Sequence, residues 1–289
     1  MQTVRDKTAV ITGAGSGIGR STALSLARRG ANIVVADINE AGARAVADEI
    51  TQDGGAALAV HSDVAREAAF EELKQATLDR FGTVDIVMNN VGVLTRGRPD
   101  YLPVEEWERI ITINLFSVVR SNATFLPLLI QQGRGHIVNT ASFAGLFTYA
   151  YDRLPYAASK AAVVQISEGL RLYLRPQGIG VTVLCPGPVA TNIAASLPPT
   201  FGPEVGTRGP GEQFGVLDPA TVGEQVAEAI LTDTFMLYTD PQVRDILVER
   251  ATDWNAFMER QTEAIAQSGP SPAAQAAGPP NDLFRTHQE

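Results

Sequence analysis

Thr12-Gly13-Ala14-Gly15-Ser16-Gly17-Ile18-Gly19 lies between two unlike neighbours. Before it, Thr8-Ala9-Val10-Ile11 is a continuous apolar run of the kind a buried strand shows. After it, Ile18, Ala23, Leu24, Leu26 and Ala27 recur at helical spacing. Glycines at such a junction permit a tight turn and let backbone N–H groups come close to a pyrophosphate. The start of the following helix adds unpaired donors and the positive end of its dipole. The glycines stand at 13, 15, 17 and 19, not in the plain G-x-G-x-x-G of many dinucleotide folds. Taken alone, the stretch also reads as a flexible turn with no ligand.

Outward from the turn, strand-like and helix-like segments alternate. Further strands are expected at Ala31–Asp37, Ala56–Val60, Val84–Met88, His136–Asn139 and Val181–Leu184, with helices over 40–52, 66–81, 105–132 and 157–175. Apolar strands separated by helices indicate a parallel sheet covered on both faces. Right-handed crossovers make it a doubly wound α/β fold with ligands at the carboxyl ends of the strands. Residues 196–219 are rich in Pro and Gly; with the residues just before them they are read as a lid loop over 192–219. A short helix (220–232), a strand (Phe235–Tyr238) and a further helix (241–266) follow. Residues 1–267 are read as one domain, and 268–289, rich in Gly, Pro, Ala and Ser, as a disordered tail.

The bulk numbers exclude several classes. A net charge of −9 argues against nucleic acid or an anionic membrane as partner. No apolar run is read as approaching a membrane span, and Met1–Asp6 is not read as a signal peptide. One cysteine, Cys185, forms no internal disulfide and fits a cytoplasmic setting. His61, His136 and His287 lack metal-ligand spacing, so no metal is expected. Of the 23 basic residues only Lys7, Lys74 and Lys160 are lysines, the type whose charge burial can titrate.

Asp37 closes the second strand at the distance where dinucleotide sites place a ribose-binding carboxylate. Its charge suits NAD and repels the 2′-phosphate of NADP; a helix N-cap or a strand-end loop residue is the alternative use. Tyr156 and Lys160 stand one helical turn apart on one face. A phenol with pKa near 10 is a poor base at neutral pH, and a neighbouring cation is expected to lower it into use as a general acid/base.

In chain order the sequence presents Thr12–Gly19, Asp63-Val64, Asn89-Asn90-Val91-Gly92, Asn114, Ser142, Tyr156-x-x-x-Lys160 and Pro186-Gly187. This set resembles the short-chain dehydrogenase/reductase family, over residues 5 to about 193. The resemblance implies a Rossmann-type domain with a seven-stranded parallel sheet, a nicotinamide cofactor, here NAD, and a homodimer or homotetramer. It implies that Tyr156 exchanges the substrate hydroxyl proton, Lys160 lowers the tyrosine pKa and bonds the nicotinamide ribose, and Ser142 holds the substrate oxygen. Asn114 is implied to anchor a water chain to Lys160; a buried amide satisfied by its own neighbours is the alternative. Gly13, Ser16, Gly17, Ile18, Gly19, Asp37, Asp63, Val64, Asn90, Gly92, Tyr156, Lys160, Pro186, Gly187, Val189 and Thr191 are implied as the cofactor-binding set. Asp63 also fits a cap of the next helix, and Ser142 a strand-end turn. Val91 departs from the family's usual Asn-Asn-Ala-Gly, which bears on packing.

The expected activity is hydride transfer between NAD(H) and a secondary alcohol or ketone. A cofactor-sensing regulator would not need Asn114, Ser142, Tyr156 and Lys160 together. A dehydratase or epimerase of the same superfamily is the other alternative. The pocket is expected to be lined by Val93, Leu94, Phe143, Leu146, Phe147, Tyr149, Leu154, Val189, Ile193 and Leu197, apolar and aromatic, with no arginine clamp for an acid. Ile193, Leu197 and Phe201 are expected to close over the substrate. Residues 235–244 are locally similar to bacterial dehydrogenases that oxidise benzylic alcohols in aryl ethers.

Overall fold

The expected alternation folds as a single seven-stranded sheet. The computed structural model describes residues 1–203 and 208–267. Its strands are β1 (Thr8–Thr12), β2 (Asn32–Asp37), β3 (Ala56–His61), β4 (Ile86–Asn89), β5 (Gly135–Thr140), β6 (Ile179–Cys185) and β7 (Met236–Tyr238). All pair in parallel, in the order β3-β2-β1-β4-β5-β6-β7. The order reverses between β1 and β4, which opens a crevice at the carboxyl ends of those strands.

Period-2 alternation divides the core into two layers. Ala9, Ile11, Ile33, Val35, Ile86 and Met88 face α1 (Gly17–Arg28) and α7 (Pro219–Thr232), packing on Leu26, Val222, Val226 and Ile230. Val10, Val34, Val87, Ile137 and Val181 face the other way, toward Phe70 and Leu73 of α3 (Ala69–Phe81) and Phe125 and Leu129 of α5 (Ser117–Gln132). Continuous apolar strands are what burial on both faces demands.

The helices depart from expectation at informative places. The segment expected over 105–132 is α4 (Val104–Ile111), a π turn over Thr112–Phe116, and α5. By length and composition Val104–Gln132 is long and apolar enough to cross a membrane, which corrects the reading that no run approaches that length. Glu105 and Glu106 in the first turn, with Glu108 and Arg109 after them, interrupt the apolar run. In the fold Phe125 and Leu129 of this stretch are buried against the sheet. The helix expected over 157–175 begins earlier, as α6 (Leu154–Leu174), so Tyr156 lies in its first turn. The helix expected over 241–266 is two, α8 (Val243–Thr252) and α9 (Trp254–Gln267), because Asp253 is extended and caps the second through the Ala256 N–H. The tail read at 268–289 lies outside the described residues.

Candidate active site

The glycine turn is shaped by steric necessity. Gly13 and Gly17 have φ of +64° and +53°, where a side chain is strained. A Cβ on Gly19 would lie 2.3 Å from the Gly13 carbonyl oxygen, so Gly19 lets helix α1 close on the turn and does not line the crevice. Asn90, just beyond β4, braces the turn. Its N–H donates to Thr12 Oγ1 (3.2 Å) and its Nδ2 donates to the carbonyls of Thr12 (3.3 Å) and Gly13 (3.2 Å). Val91 packs beside this brace and lines the crevice.

At the end of β2, Asp37 Oδ2 accepts the Gly15 N–H (2.9 Å) and Oδ1 the Asn39 N–H (2.8 Å). The cap of α2 (Glu40–Gln52) is Asn39, which accepts from the Gly42 N–H, so the alternative use of Asp37 as a helix cap does not hold. Asp63 accepts the Ala65 N–H (3.0 Å) in a local turn; α3 starts later, at Ala69, and Asp63 does not cap it.

Across the crevice, Ser142 follows β5 and Tyr156 and Lys160 face it from α6. The Tyr156 hydroxyl lies beside the Ser142 side chain, whose Oγ accepts the Ala144 N–H (3.1 Å). Lys160 Nζ donates to the Thr140 carbonyl (2.8 Å), beside Gly92, where a Cβ would come within 3.2 Å of Nζ. The ammonium lies 5.9 Å from the centre of the Tyr156 ring. Burial pushes the Tyr156 phenol up to about 12, against the opposing influence of the neighbouring Ser142, and pushes Lys160 down to about 8. The expected lowering of the tyrosine is therefore reversed: loss of water around the phenolate outweighs a cation engaged with a backbone carbonyl. Burial also holds the Cys185 thiol up at about 12, as an inert strand residue.

Asn114, in the π turn, is fully buried and satisfied by protein. Its Oδ1 accepts the Val93 N–H (2.8 Å), and its Nδ2 donates to the Val93 carbonyl (3.0 Å) and Ser159 Oγ (3.2 Å). It ties the strand-β4 loop to α6 and does not bond Lys160 directly.

One cavity of about 560 Å³ joins these groups. Gly13, Ser16, Gly17, Ile18, Asp37, Asp63, Val64, Asn90, Gly92, Ser142, Tyr156, Lys160, Pro186, Gly187, Val189 and Thr191 all line it; of the expected site residues Gly19 and Asn114 do not. Val93, Leu94, Phe143, Tyr149, Val189 and Ile193 line it as expected, whereas Leu146, Phe147, Leu154 and Leu197 do not. Phe147 is instead buried among Phe143, Tyr149 and Phe257. Phe201 pairs with the 96–98 segment, bonding the Arg96 carbonyl and the Arg98 N–H, and leaves Ile193 as the one member of the expected closing trio on the cavity. Residues 192–196 wall the mouth as a short 3₁₀ turn, held by Ser196 Oγ on the Leu94 N–H.

Sequence reasoning missed Arg153 and Arg208, which also line the cavity, and Ser62. Arg153 carried a usable signal, lying three residues before Tyr156 on the same helical face. Arg208 comes from a loop without periodicity and had none.

Residues 7–201 match the short chain dehydrogenase family. The chain belongs to that family. EphD of Mycobacterium tuberculosis, a probable oxidoreductase, is 41% identical over 187 residues, or 64% of this chain and 31% of that protein. The chain thus spans about a third of the length of that relative. A short chain dehydrogenase/reductase from Burkholderia phymatum, solved in complex with NAD, superposes with a TM-score of 0.80 at 30% identity, covering 94% of this chain and 98% of the other. A 7α-hydroxysteroid dehydrogenase complexed with NADH and 7-oxo glycochenodeoxycholic acid gives 0.73 at 27% identity, covering 82% and 94%. The chain has the seven-stranded parallel sheet of the family's Rossmann-type fold.

The depressed Lys160 has a measurable consequence. Its folded value of about 8 lies below the ordinary 10.5, so below pH 8 the buried ammonium costs the folded state about 3 kcal/mol, and the cost fades as pH rises toward 10.5. Lys160→Met removes it, at a pH-independent cost of roughly 1–3 kcal/mol for the unpaired Thr140 carbonyl. Denaturant unfolding of both proteins should show the variant's relative stability falling by about 3 kcal/mol between pH 7 and 10.5. A difference that stays flat with pH would show that Lys160 is not destabilised by burial.

Proposed function

We propose that this chain transfers hydride between NAD(H) and a secondary alcohol or its ketone, with Tyr156 exchanging the hydroxyl proton. The observation that carries this reading is the placement of Ser142, Tyr156 and Lys160 in one cavity with the glycine turn and Asp37. The residues present fit the cofactor. Ser16, Gly17 and Ile18 open helix α1 toward the cavity, where its free N–H groups favour a pyrophosphate. Ser62 lines the cavity near Asp37 and Asp63 with a buried hydroxyl that has no partner, a group suited to an adenosine. Asp37 keeps acceptor capacity for ribose hydroxyls beyond its two backbone bonds. The Burkholderia relative holding NAD and the steroid dehydrogenase holding NADH with an oxo compound support the same assignment.

When bound, NAD⁺ accepts, or NADH donates, the hydride. Ser142 holds the substrate oxygen, and Tyr156 takes its proton in oxidation or gives one to the carbonyl in reduction. With its phenol near 12, Tyr156 is protonated at neutral pH, so the resting site is set as a proton donor to a ketone. Lys160 supplies a cation beside the tyrosine and donors for the nicotinamide ribose. Val93, Leu94, Phe143 and Ile193 surround the reacting carbon with apolar surface and exclude water. Phe116, Val119, Leu172 and Tyr173 are exposed apolar side chains on the π turn, α5 and α6, and a second copy of the chain covers them in this reading. Light scattering at micromolar concentration then returns a dimer or tetramer mass, and a monomer mass refutes it.

Tyr156→Phe keeps the ring and removes the proton carrier. Turnover should fall by about 10² or more while NAD affinity, read by titration calorimetry, stays within a few-fold. Retention of most of the activity would sink the proposed mechanism. Wild type should favour NAD over NADP in kcat/KM, and Asp37→Ala should erode that preference by about tenfold or more, as loss of a charge facing a phosphate requires. An unchanged ratio would remove Asp37 from cofactor choice.

A further inference from the structure

We infer that the substrate end of the cavity carries an anion subsite, built from Arg153 and Arg208, that takes the carboxylate of an otherwise apolar alcohol or ketone. This rests on the dehydrogenase reading above and narrows it to substrates with an acidic tail. It also overturns the expectation of a pocket without an arginine clamp.

Arg153 caps the start of α6, one turn before Tyr156, and both residues line the cavity. Its charge is matched: Nε and Nη2 bond the two oxygens of buried Asp152 at 2.7 and 3.1 Å. Nη2 also donates to the Arg208 carbonyl (3.2 Å), which fixes the two arginines relative to one another. Arg208 is not matched. Its Nη1 donates to two neutral oxygens, the Tyr149 carbonyl (3.3 Å) and Gln261 Oε1 (2.8 Å), and no carboxylate among the described residues pairs with it. The group of Arg153, Arg208 and Asp152 therefore holds one excess positive charge in a chain whose net charge is −9. Gln261 on α9 and the Tyr149 carbonyl hold the guanidinium in place, so little side-chain freedom is left to lose on binding.

Leu94, Phe143 and Ile193 add apolar surface to that end, beside neutral polar groups such as Ser142 and Ser196. A wholly apolar ligand would strip water from the unmatched guanidinium and return nothing. A carboxylate matches its planar fork, and charge-assisted bonds of this type are roughly twice as strong as neutral ones. Arg153 and Arg208 come from the α6 cap and the 208–210 segment, not from the glycine turn where the cofactor's own phosphates are expected, so the two anion sites use separate groups.

The test uses the full-length protein with NAD⁺, with which ketones do not react, and titration calorimetry with 4-acetylbenzoate and its neutral counterpart acetophenone. Wild type should bind the carboxylate at least about tenfold more tightly, with the gap narrowing as salt rises. Arg208→Gln should shrink the gap to under about threefold, whereas Arg208→Lys, which keeps the charge, should retain most of it. Equal affinities in wild type, or a gap that survives Arg208→Gln, overturns the subsite. If Arg208→Gln does not fold, the wild-type comparison and its salt dependence still decide. Oxidation of NADH by either ketone is read separately at 340 nm. Tight carboxylate binding without turnover keeps the subsite and removes the ketone-reductase reading, while equal turnover and equal binding of both ketones does the reverse.

Discussion

Asn90 holds the two halves of the sheet together where their connectivity reverses. Its amide reaches from the end of β4 to the carbonyls of Thr12 and Gly13, and its Oδ1 accepts the Thr140 hydroxyl from β5 (3.3 Å). Three strands thus meet in one side chain at the floor of the crevice. Carbonyls that leave a strand at a tight glycine turn have no ladder partner, and buried oxygens of that kind need a donor. The primary amide supplies two hydrogens from one nitrogen and an acceptor on the other side. Asn90 thereby fixes the start of α1, the approach of Gly19 and the position of Asp37, through the Gly15 N–H.

Most of this was legible in the residues because the signals were local. The turn residues, the buried strands and the Tyr156/Lys160 spacing all lie within short windows, and the structure places each where the pattern requires. What escaped were features set by distant segments. The π turn is invisible to a search for 3.6-residue periodicity, since it lies inside a longer apolar run. Arg208 reaches the cavity from 55 residues beyond Arg153, through a loop with no regular pattern. Hydrophobicity alone does not separate Leu146, Phe147, Leu154 and Leu197 from the pocket lining, because an apolar residue near a site has two apolar places to go. Phe147 went into the aromatic cluster with Phe143, Tyr149 and Phe257.

Burial sets the electrostatic character of the site. The phenol of Tyr156, the ammonium of Lys160 and the thiol of Cys185 are all pushed toward their neutral forms by loss of water. In such a site the resting phenol is neutral and keeps its proton until a substrate oxygen takes it.

The helical rod from Val104 to Gln132 works as a strut. Near one end Arg109 Nη2 holds the Leu94 carbonyl (2.9 Å) at the cavity mouth, and at the other Gln132 Nε2 holds the Val84 carbonyl (2.9 Å) ahead of β4. A straight helix presents one face along its whole length, which would commit it to a single neighbour. The extra residue in the Thr112–Phe116 turn is a phase shift. Before it the buried face carries Glu106 and Ile110; after it, Val118, Phe125 and Leu129. One rigid member can then serve two surfaces that are not in line, the rim of the cavity and the flank of the sheet. Its joint is Asn114, the residue that bonds α6 at Ser159.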